Sequence, residues 1–356
     1  EIAVFFGVLA LLVLAHEFGH FVVARKKGMK VEEFGFGFPP RLFGFQRGET
    51  FYSFNLLPLG GFVKIAGENE AVSSDPRNFT SQSLLARSAI LSSGVIFNII
   101  LAFIIFSSAI FIGLPIDAET HFLTAGTRDK VITIVEVLPQ SAAESAGLMA
   151  GDKILALESE VGQKLTPAAI SEIQAFTKNN LGQKILIERK RNNKIKVTPV
   201  FLSRNEIAPL GVAMSEIGII SAPWYKAPLV GLELTIIAIW RMIEGLFLIL
   251  GLIFSGVSVA GLVSGPVGIF SVVSGSLNFG LTTFMSLVAT LSINLAIINL
   301  LPIPGLDGGR LFFLAIEAVR GRPIGQKISN LAQTAGFAIL IMLMAVVTYL
   351  DIKFKF

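Results

Sequence analysis

Four long apolar stretches limit how this chain can fold. They cover residues 2–24, 88–114, 279–301 and 332–350. A helix needs about 20 apolar residues to cross the hydrocarbon core of a bilayer. Because 53% of the residues are hydrophobic and only 15% are charged, we expect a polytopic α-helical membrane protein with about four transmembrane helices. The first stretch is expected to stay as a helix rather than to be a cleaved signal peptide.

A fifth apolar stretch, residues 229–254, contains three charged side chains. The short basic segments at 25–30 and 319–327 are expected to face the cytoplasm. A single crossing by residues 229–254 would place one of these segments on the wrong side, and 26 residues are too few for two crossings. We therefore expect an interfacial amphipathic helix here, with a true crossing as the alternative.

The first apolar stretch contains the sequence HEFGH, which places three ionisable side chains at membrane depth. The spacing puts His16 and His20 one helical turn apart, so that both imidazoles can reach one Zn²⁺ ion. Glu17 beside them can act as a general base toward water. Since polar groups in a membrane helix are costly and usually functional, a metal site is the preferred interpretation over a polar helix contact.

A catalytic zinc ion requires a third protein ligand. The chain has no cysteine, and its remaining histidine, His121, is expected at the opposite side of the membrane. Asp307 follows the third apolar stretch, in a segment interrupted by prolines and glycines. Non-helical backbone at membrane depth is tolerated where it lines a cavity. Asp307 is therefore the predicted third ligand, although a carboxylate that only caps a turn would suit the same local sequence.

These motifs together resemble the site-2 protease family (M50) of intramembrane zinc metalloproteases, particularly its bacterial RseP type (regulator of sigma-E protease). The resemblance covers HEFGH, the sequence NLLPIPGLDGG at 299–309, and SGPVGI at 264–269. It implies a zinc centre with the following residues: metal ligands His16, His20 and Asp307, general base Glu17, and Asn299, which binds substrate or stabilises the oxyanion. A polar helix contact is the alternative for Asn299, and Pro302 of the NxxP motif is implied in substrate binding.

The segment between the second and third stretches has an ordinary soluble composition. Residues 137–159 resemble the signature of bacterial PDZ domains, 166–180 form a predicted amphipathic helix, and a hairpin is expected to turn at Asn192 and Asn193. We expect one extracytoplasmic PDZ domain over 118–208, which would capture an extended peptide. A role in stability or targeting is the alternative.

Residues 31–66 are rich in Phe and Gly and favour strands and tight turns. The family has a membrane-associated β-hairpin here, with a GxG motif like Gly35 and Gly37. We expect a hairpin over 34–62, on the cytoplasmic side, whose edge pairs with unwound substrate backbone. A hairpin that only packs on the helices is the alternative.

The resulting prediction is an intramembrane zinc endopeptidase of the bacterial cytoplasmic membrane, with its active site toward the cytoplasm. Its expected domains are an N-terminal membrane core (1–117), the PDZ domain (118–208), a linker with an interfacial helix (209–278) and a C-terminal membrane core (279–356). Expected substrates are single-span membrane proteins, such as anti-sigma factors or remnant signal peptides, and no nucleic acid. The alternatives are a membrane-anchored metalloprotease for water-exposed or unfolded chains, a non-catalytic PDZ receptor and, least favoured, a transporter.

Overall fold

The computed structural model describes residues 1–68, 75–117, 128–191, 194–204, 208–257, 259 and 262–355. The described residues form nine α-helices: α1 (Ile2–Lys26), α2 (Leu84–Ile112), α3 (Ala142–Ser145), α4 (Ile170–Asn179), α5 (Ala227–Phe254), α6 (Pro266–Ser276), α7 (Leu281–Leu300), α8 (Asp307–Arg320) and α9 (Gln326–Lys355). They also form nine strands: β1 (Val31–Arg47), β2 (Thr50–Ile65), β3 (Leu114–Asp117), β4 (Arg128–Val137), β5 (Lys153–Ser159), β6 (Lys164–Leu165), β7 (Lys184–Arg191), β8 (Lys194–Phe201) and β9 (Val212–Ile220).

The chain divides into two compact units, which we describe separately. The membrane unit consists of residues 1–108 and 231–356, and the second unit of residues 109–230. The predicted soluble domain, 118–208, lies within the second unit. The predicted domain boundaries themselves stay a prediction.

Five described helices are long and apolar enough to cross a membrane, namely α1, α2, α5, α7 and α9. This confirms the prediction of a polytopic helical membrane protein. The predicted count of four is not confirmed, because α5 continues as one uninterrupted apolar helix of 28 residues through its charged side chains. By length and composition α5 is therefore a fifth candidate span, and the interfacial placement of residues 229–254 stays a prediction.

Small residues let the membrane helices approach one another closely. A Cβ atom on Gly19 of α1 would lie 2.5 Å from the main-chain oxygen of Ser93 in α2. Close backbone approach of this kind is typical of helix crossings in membranes. Nearer the start of α1, Val8 and Leu12 pack with Val273 of α6 and Val288 of α7. These contacts hold the half of α1 that precedes HEFGH.

Strands β1 and β2 both bend, so that their antiparallel pair forms four segments. Residues 31–36 pair with 61–65 on one side, and residues 33–36 pair with 51–54 on the other. Residues 41–47 pair with the outer side of 50–55. Residues 31–36 and 50–55 are therefore the two inner segments, and we call residues 31–36 the central segment. Residues 61–65, which we call the edge segment, form one border of this sheet, and within the described residues β1 is their only strand partner.

The second unit is built on one antiparallel sheet with the strand order β3-β9-β4-β5-β7-β8, to which β6 adds beside β5. Its core consists of buried aliphatic side chains and Phe176 of α4, with Ile185 and Ile187 of β7 fully buried. Strands β7 and β8 pair in register from Lys184 opposite Phe201 to Arg191 opposite Lys194, as the hairpin prediction requires. The predicted turn residues Asn192 and Asn193 lie outside the described residues, and the PDZ assignment stays a prediction.

Candidate metal centre

The two histidines of HEFGH point toward one place because α1 is helical through the motif. His16 and His20 are both buried, at 7% and 8% exposure, and their Nε2 atoms are 3.2 Å apart. Asp307 completes a triangle, since its Oδ2 atom lies 2.9 Å from Nε2 of His16 and 3.2 Å from Nε2 of His20. The structure thus brings together three side chains that the sequence predicts as metal ligands.

Asp307 reaches this position as the first residue of α8, which follows the break after α7. Gly308 and Gly309 lie against the carbonyl groups of Leu300 and Ile303, and no side chain would fit there. These glycines allow the first turn of α8 to press against the loop behind it. The LDGG sequence therefore places its carboxylate through close backbone packing.

The loop before α8 is held by α9. Gly305 adopts a φ of 97°, a left-handed conformation that favours glycine, and its N–H donates to Oε1 of Gln333 at 2.6 Å. The left-handed conformation of Gly305 and its hydrogen bond to α9 thus fix the loop that leads to Asp307.

The donor set and its spacing suit zinc. Ligand atoms about 2.0–2.1 Å from a tetrahedral zinc ion lie about 3.3 Å from one another. The three edges of the triangle, 2.9, 3.2 and 3.2 Å, are close to this spacing. Two imidazole nitrogens and one carboxylate oxygen are also a common ligand set for catalytic zinc, which leaves a fourth position for water or substrate.

Gly94 of α2 supplies the space in which the two imidazoles meet. A Cβ atom at this position would lie 2.5 Å from Cε1 of His16 and 2.6 Å from Nε2 of His20. Gly94 was not among the predicted site residues, because a glycine in an apolar helix gives no indication of its partners. Any larger residue would displace the imidazoles.

The second ring nitrogen of His20 is fixed by a main-chain group. Its Nδ1–H donates to the carbonyl oxygen of Ile90 at 2.8 Å, and both groups are buried. In the neutral imidazole this bond leaves the lone pair on Nε2, the atom that lies 3.2 Å from Oδ2 of Asp307. Metal-binding histidines are generally oriented by such a bond from the other ring nitrogen.

The three side chains open into a cavity of about 410 Å³. Glu17 lines the same cavity, and its carboxylate accepts a hydrogen bond from the main chain of Val63. Phe62, Val63, Lys64 and Ile65 form the wall beside it. The edge segment therefore borders the space in front of the candidate metal centre.

Four other predicted site residues are not among those that line this cavity. Gly35 and Gly37 are buried in β1, and Gly35 pairs on one side with Phe62 and on the other with Ser53. Asn299 is half-buried in the last turn of α7, and Pro302 is exposed in the loop that follows. The structure brings the edge segment, rather than the GxG glycines, next to Glu17.

Arg310 also reaches this cavity, one turn after Asp307 on α8. Its guanidinium donates to the carboxylate of Glu68, which follows the edge segment. This ion pair ties the start of α8 to the end of the hairpin. The sequence alone gives no sign of the pairing, because the two residues are 242 positions apart.

Apolar helices that enclose a His–His–Asp cluster with an adjacent glutamate define a membrane-embedded protein with a hydrolytic type of metal centre. Comparison with known proteins gives the family: residues 4–343 match the model of Peptidase family M50, and the chain belongs to this family. The predicted resemblance to site-2 proteases is thereby confirmed, as is the predicted enzyme class, a zinc metalloendopeptidase.

Individual relatives match the chain from end to end. A protein of Clostridium acetobutylicum is 32% identical over 98% of this chain and 95% of its own length. The zinc metalloprotease RasP of Shouchella clausii is 29% identical over 98% of both chains. RasP of Geobacillus kaustophilus is also 29% identical, over 98% of this chain and 97% of its own.

Proposed function

We propose that this protein is an intramembrane zinc endopeptidase that hydrolyses peptide bonds within or near the transmembrane segments of single-span membrane proteins. The observation that carries the proposal is the His16–His20–Asp307 triangle, whose two histidines belong to a helix long and apolar enough to cross a membrane. A hydrolytic centre at this depth favours a substrate that is itself in the membrane.

In this proposal the ligands are Nε2 of His16, Nε2 of His20 and Oδ2 of Asp307. Bound there, Zn²⁺ would polarise the scissile carbonyl group and lower the pKa of water to about 7. The protein's own contribution is to hold two neutral imidazoles and one carboxylate in a fixed arrangement. The Ile90 carbonyl, Gly94 and the glycines after Asp307 support that arrangement.

Glu17 is the proposed general base and acid. A carboxylate oxygen of Glu17 takes a proton from the attacking water and then delivers it to the nitrogen of the leaving amine. The hydrogen bond from Val63 orients the carboxylate toward the cavity that it shares with the ligands. In this proposal the general base, Glu17, lies next to Val63 of the edge segment.

The edge segment is the proposed substrate-binding strand. A peptide bond within a transmembrane helix is protected by internal hydrogen bonds, so the substrate must unwind and find new partners. A strand edge offers main-chain partners for an extended peptide. Because residues 62–65 line the cavity, a peptide paired with them would pass in front of Glu17. We also propose that four further residues support substrate binding, namely Asn299, Gly35, Gly37 and Pro302.

We place the protein in the bacterial cytoplasmic membrane, with the centre toward the cytoplasm and the 118–208 domain outside as a single PDZ domain. The basic residues that follow HEFGH support this orientation, because such residues favour the cytoplasmic side. Anti-sigma factors and remnant signal peptides fit the proposed substrate class, since both offer one apolar helix. The PDZ domain would capture an extended part of the substrate.

The test is cleavage of a tagged single-span protein by the purified, detergent-solubilised enzyme, with bound zinc measured in each variant. Wild type should bind one zinc ion per chain and cut within the span. Glu17→Gln should lose at least about a hundredfold in rate but keep its zinc, because the ligands are intact. Asp307→Asn should lose both zinc and activity. Glu49→Gln, which removes an exposed carboxylate paired with Arg77, is the control and should retain both.

Two outcomes would contradict the proposal. Cleavage confined to a soluble tail would favour a membrane-anchored metalloprotease that acts on water-exposed chains. A wild-type protein that is correctly folded but binds no zinc and cuts nothing would favour a non-catalytic receptor.

A further inference from the structure

Asn98 of α2 is a fully buried polar residue beside the candidate metal centre. Its side chain has 0% exposure, and its Nδ2 atom lies 3.5 Å from Nδ1 of His16. Its Oδ1 atom is buried and has no hydrogen-bond partner among the described residues. A buried carboxamide oxygen without a partner is costly and requires an explanation.

The proposed role of His16 as a metal ligand supplies an explanation for this carboxamide. If Nε2 of His16 is to bind a metal ion, its lone pair must be free, so the ring proton must reside on Nδ1. Nδ1–H is then a donor in a buried environment and needs an acceptor. His20 meets the same requirement through the carbonyl oxygen of Ile90. For His16 the group that the described residues bring within reach is the carboxamide of Asn98.

We propose that Asn98 is a positioning residue: its carboxamide oxygen accepts the Nδ1–H of His16 and thereby holds the Nε2 lone pair toward the metal. The oxygen and nitrogen of a carboxamide are alike in size, and a 180° rotation exchanges them without moving other atoms. The rotation turns the contact between Nδ2 and Nδ1 into a bond from Nδ1–H to Oδ1. This inference rests on the proposed function, specifically on His16 as a zinc ligand.

A purely structural role does not account for the side chain. The contact of Asn98 with α7 is made by its main-chain carbonyl, which accepts the hydroxyl of Ser292 at 2.8 Å. Any residue at position 98 would keep that bond. The carboxamide is therefore available for His16, whose Nδ1 it approaches within one buried site.

The experiment measures zinc affinity of the purified full chain by competition with a chelator, together with the visible spectrum of the Co²⁺-substituted protein. Asn98→Leu is similar in shape but has no acceptor, and should bind zinc about 10- to 100-fold more weakly with an altered spectrum. Asn98→Asp keeps an acceptor oxygen and should bind zinc close to the wild-type affinity. Ser292→Ala removes a neighbouring buried hydrogen bond, and should lower the unfolding temperature without changing zinc affinity.

The outcomes separate this inference from the function on which it rests. Wild-type affinity in Asn98→Leu, or an equal loss in Asn98→Leu and Asn98→Asp, would overturn the role of Asn98 alone. A wild type without zinc, or a His16→Phe variant that keeps it, would overturn the proposed function and this inference together.

If Asn98→Leu does not fold, the ¹⁵N spectrum of histidine-labelled protein decides the question. The chain has only three histidines, so few imidazole signals need to be assigned. In the zinc-loaded wild type, Nδ1 of His16 should carry a proton that exchanges slowly with solvent. In Asn98→Asp the signal of that proton should move downfield, because a charged acceptor makes a stronger bond. An unprotonated Nδ1, or an unchanged signal in Asn98→Asp, would overturn the inference.

Discussion

At the scale of single residues, the centre depends on positions that carry no chemistry of their own. Gly94 provides the space for two imidazoles, Gly305 allows a left-handed turn, and the carbonyl of Ile90 fixes the proton of His20. Each of them acts on the geometry of a ligand rather than on the substrate. Substitutions of Gly94 and Gly305 are therefore expected to change metal affinity before they change the fold.

Gly94→Ala should weaken zinc binding at least about tenfold, because its Cβ atom would lie 2.5–2.7 Å from ring atoms of His16 and His20. Overpacking of this kind costs about 1–3 kcal/mol, and the imidazoles are the groups that must move. Gly245→Ala in α5 is the matched control, since no described residue would lie within 4 Å of its Cβ atom. Zinc titration of both variants checks this, and equal affinity in the two would contradict it.

At the scale of elements, the bend in β1 and β2 decides which part of the hairpin meets the cavity. The central segment is paired on both sides, so its main chain is used within the sheet. The edge segment keeps one side toward the cavity. Pairing with substrate is therefore expected at residues 62–65.

The chain has no cysteine, which allows a clean crosslinking test of that expectation. Lys64→Cys, in the edge segment, should form a disulfide with a cysteine placed near the scissile bond of a substrate held by the inactive Glu17→Gln enzyme. Gln46→Cys, on the opposite border of the same sheet, should not. Gel mobility under non-reducing conditions gives the result, and equal crosslinking at both positions would argue against strand pairing at the edge segment.

A second element-scale prediction concerns the start of α6. Oδ2 of Asp351 in α9 accepts the main-chain N–H of Gly268 at 2.7 Å, and Asp351 is buried. Asp351→Ala leaves this N–H without a partner and should destabilise the protein by about 1–3 kcal/mol. Asp351→Asn keeps an acceptor and should lose less. Thermal unfolding in detergent measures both, and an Asp351→Ala variant as stable as wild type would contradict the prediction.

At the scale of the whole molecule, the chain consists of two compact units with separate cores. In the second unit the fully buried carboxylate of Asp152 accepts hydrogen bonds from Arg189, Arg191 and the main chain of Met149. Burial alone would raise the pKa of Asp152, but the Arg191 hydrogen bonds, the Met149 amide and the charges of both arginines lower it below its usual range. This network gives the second unit its own pH dependence.

The direction of this pH dependence follows from the lowered pKa of Asp152. A carboxyl group with a lower pKa in the folded state stabilises the protein fully above its unfolded pKa of about 3.9, and this stabilisation is lost as the pH falls below that value. At neutral pH, Asp152→Asn should lower the free energy of unfolding of the second unit by about 3 kcal/mol, because it leaves a buried arginine uncompensated. The difference from wild type should shrink below about pH 4.

Urea-dependent hydrogen exchange of β5 and β7 in the intact chain measures this stability. Glu158→Gln is the control, because its ion pair with Lys164 is exposed and its loss should cost no more than about 1 kcal/mol. A difference between wild type and Asp152→Asn that is the same at pH 7 and at pH 3 would contradict the assignment.

Features that depend on local backbone periodicity could be predicted from the sequence. Helical spacing puts His16 and His20 on one face, apolar length marks the membrane helices, and the prolines and glycines before Asp307 mark a break in helix. Asp307 followed as the candidate third ligand as well, because the chain offers few alternatives. The strands of the β7–β8 hairpin were likewise predicted from their sequence pattern.

Contacts between groups that are distant in sequence are known only from the folded structure. His16 and Asp307 are 291 positions apart, and Gly94, Asn98 and the Ile90 carbonyl reach the centre through the packing of α2 on α1. The bend that places the edge segment beside Glu17, with the GxG glycines in the strand behind it, is likewise a property of the paired strands. Local spacing is fixed by the geometry of one helix or strand, whereas clearance, hydrogen-bond partners and cavity walls depend on contacts between elements, which no local pattern encodes.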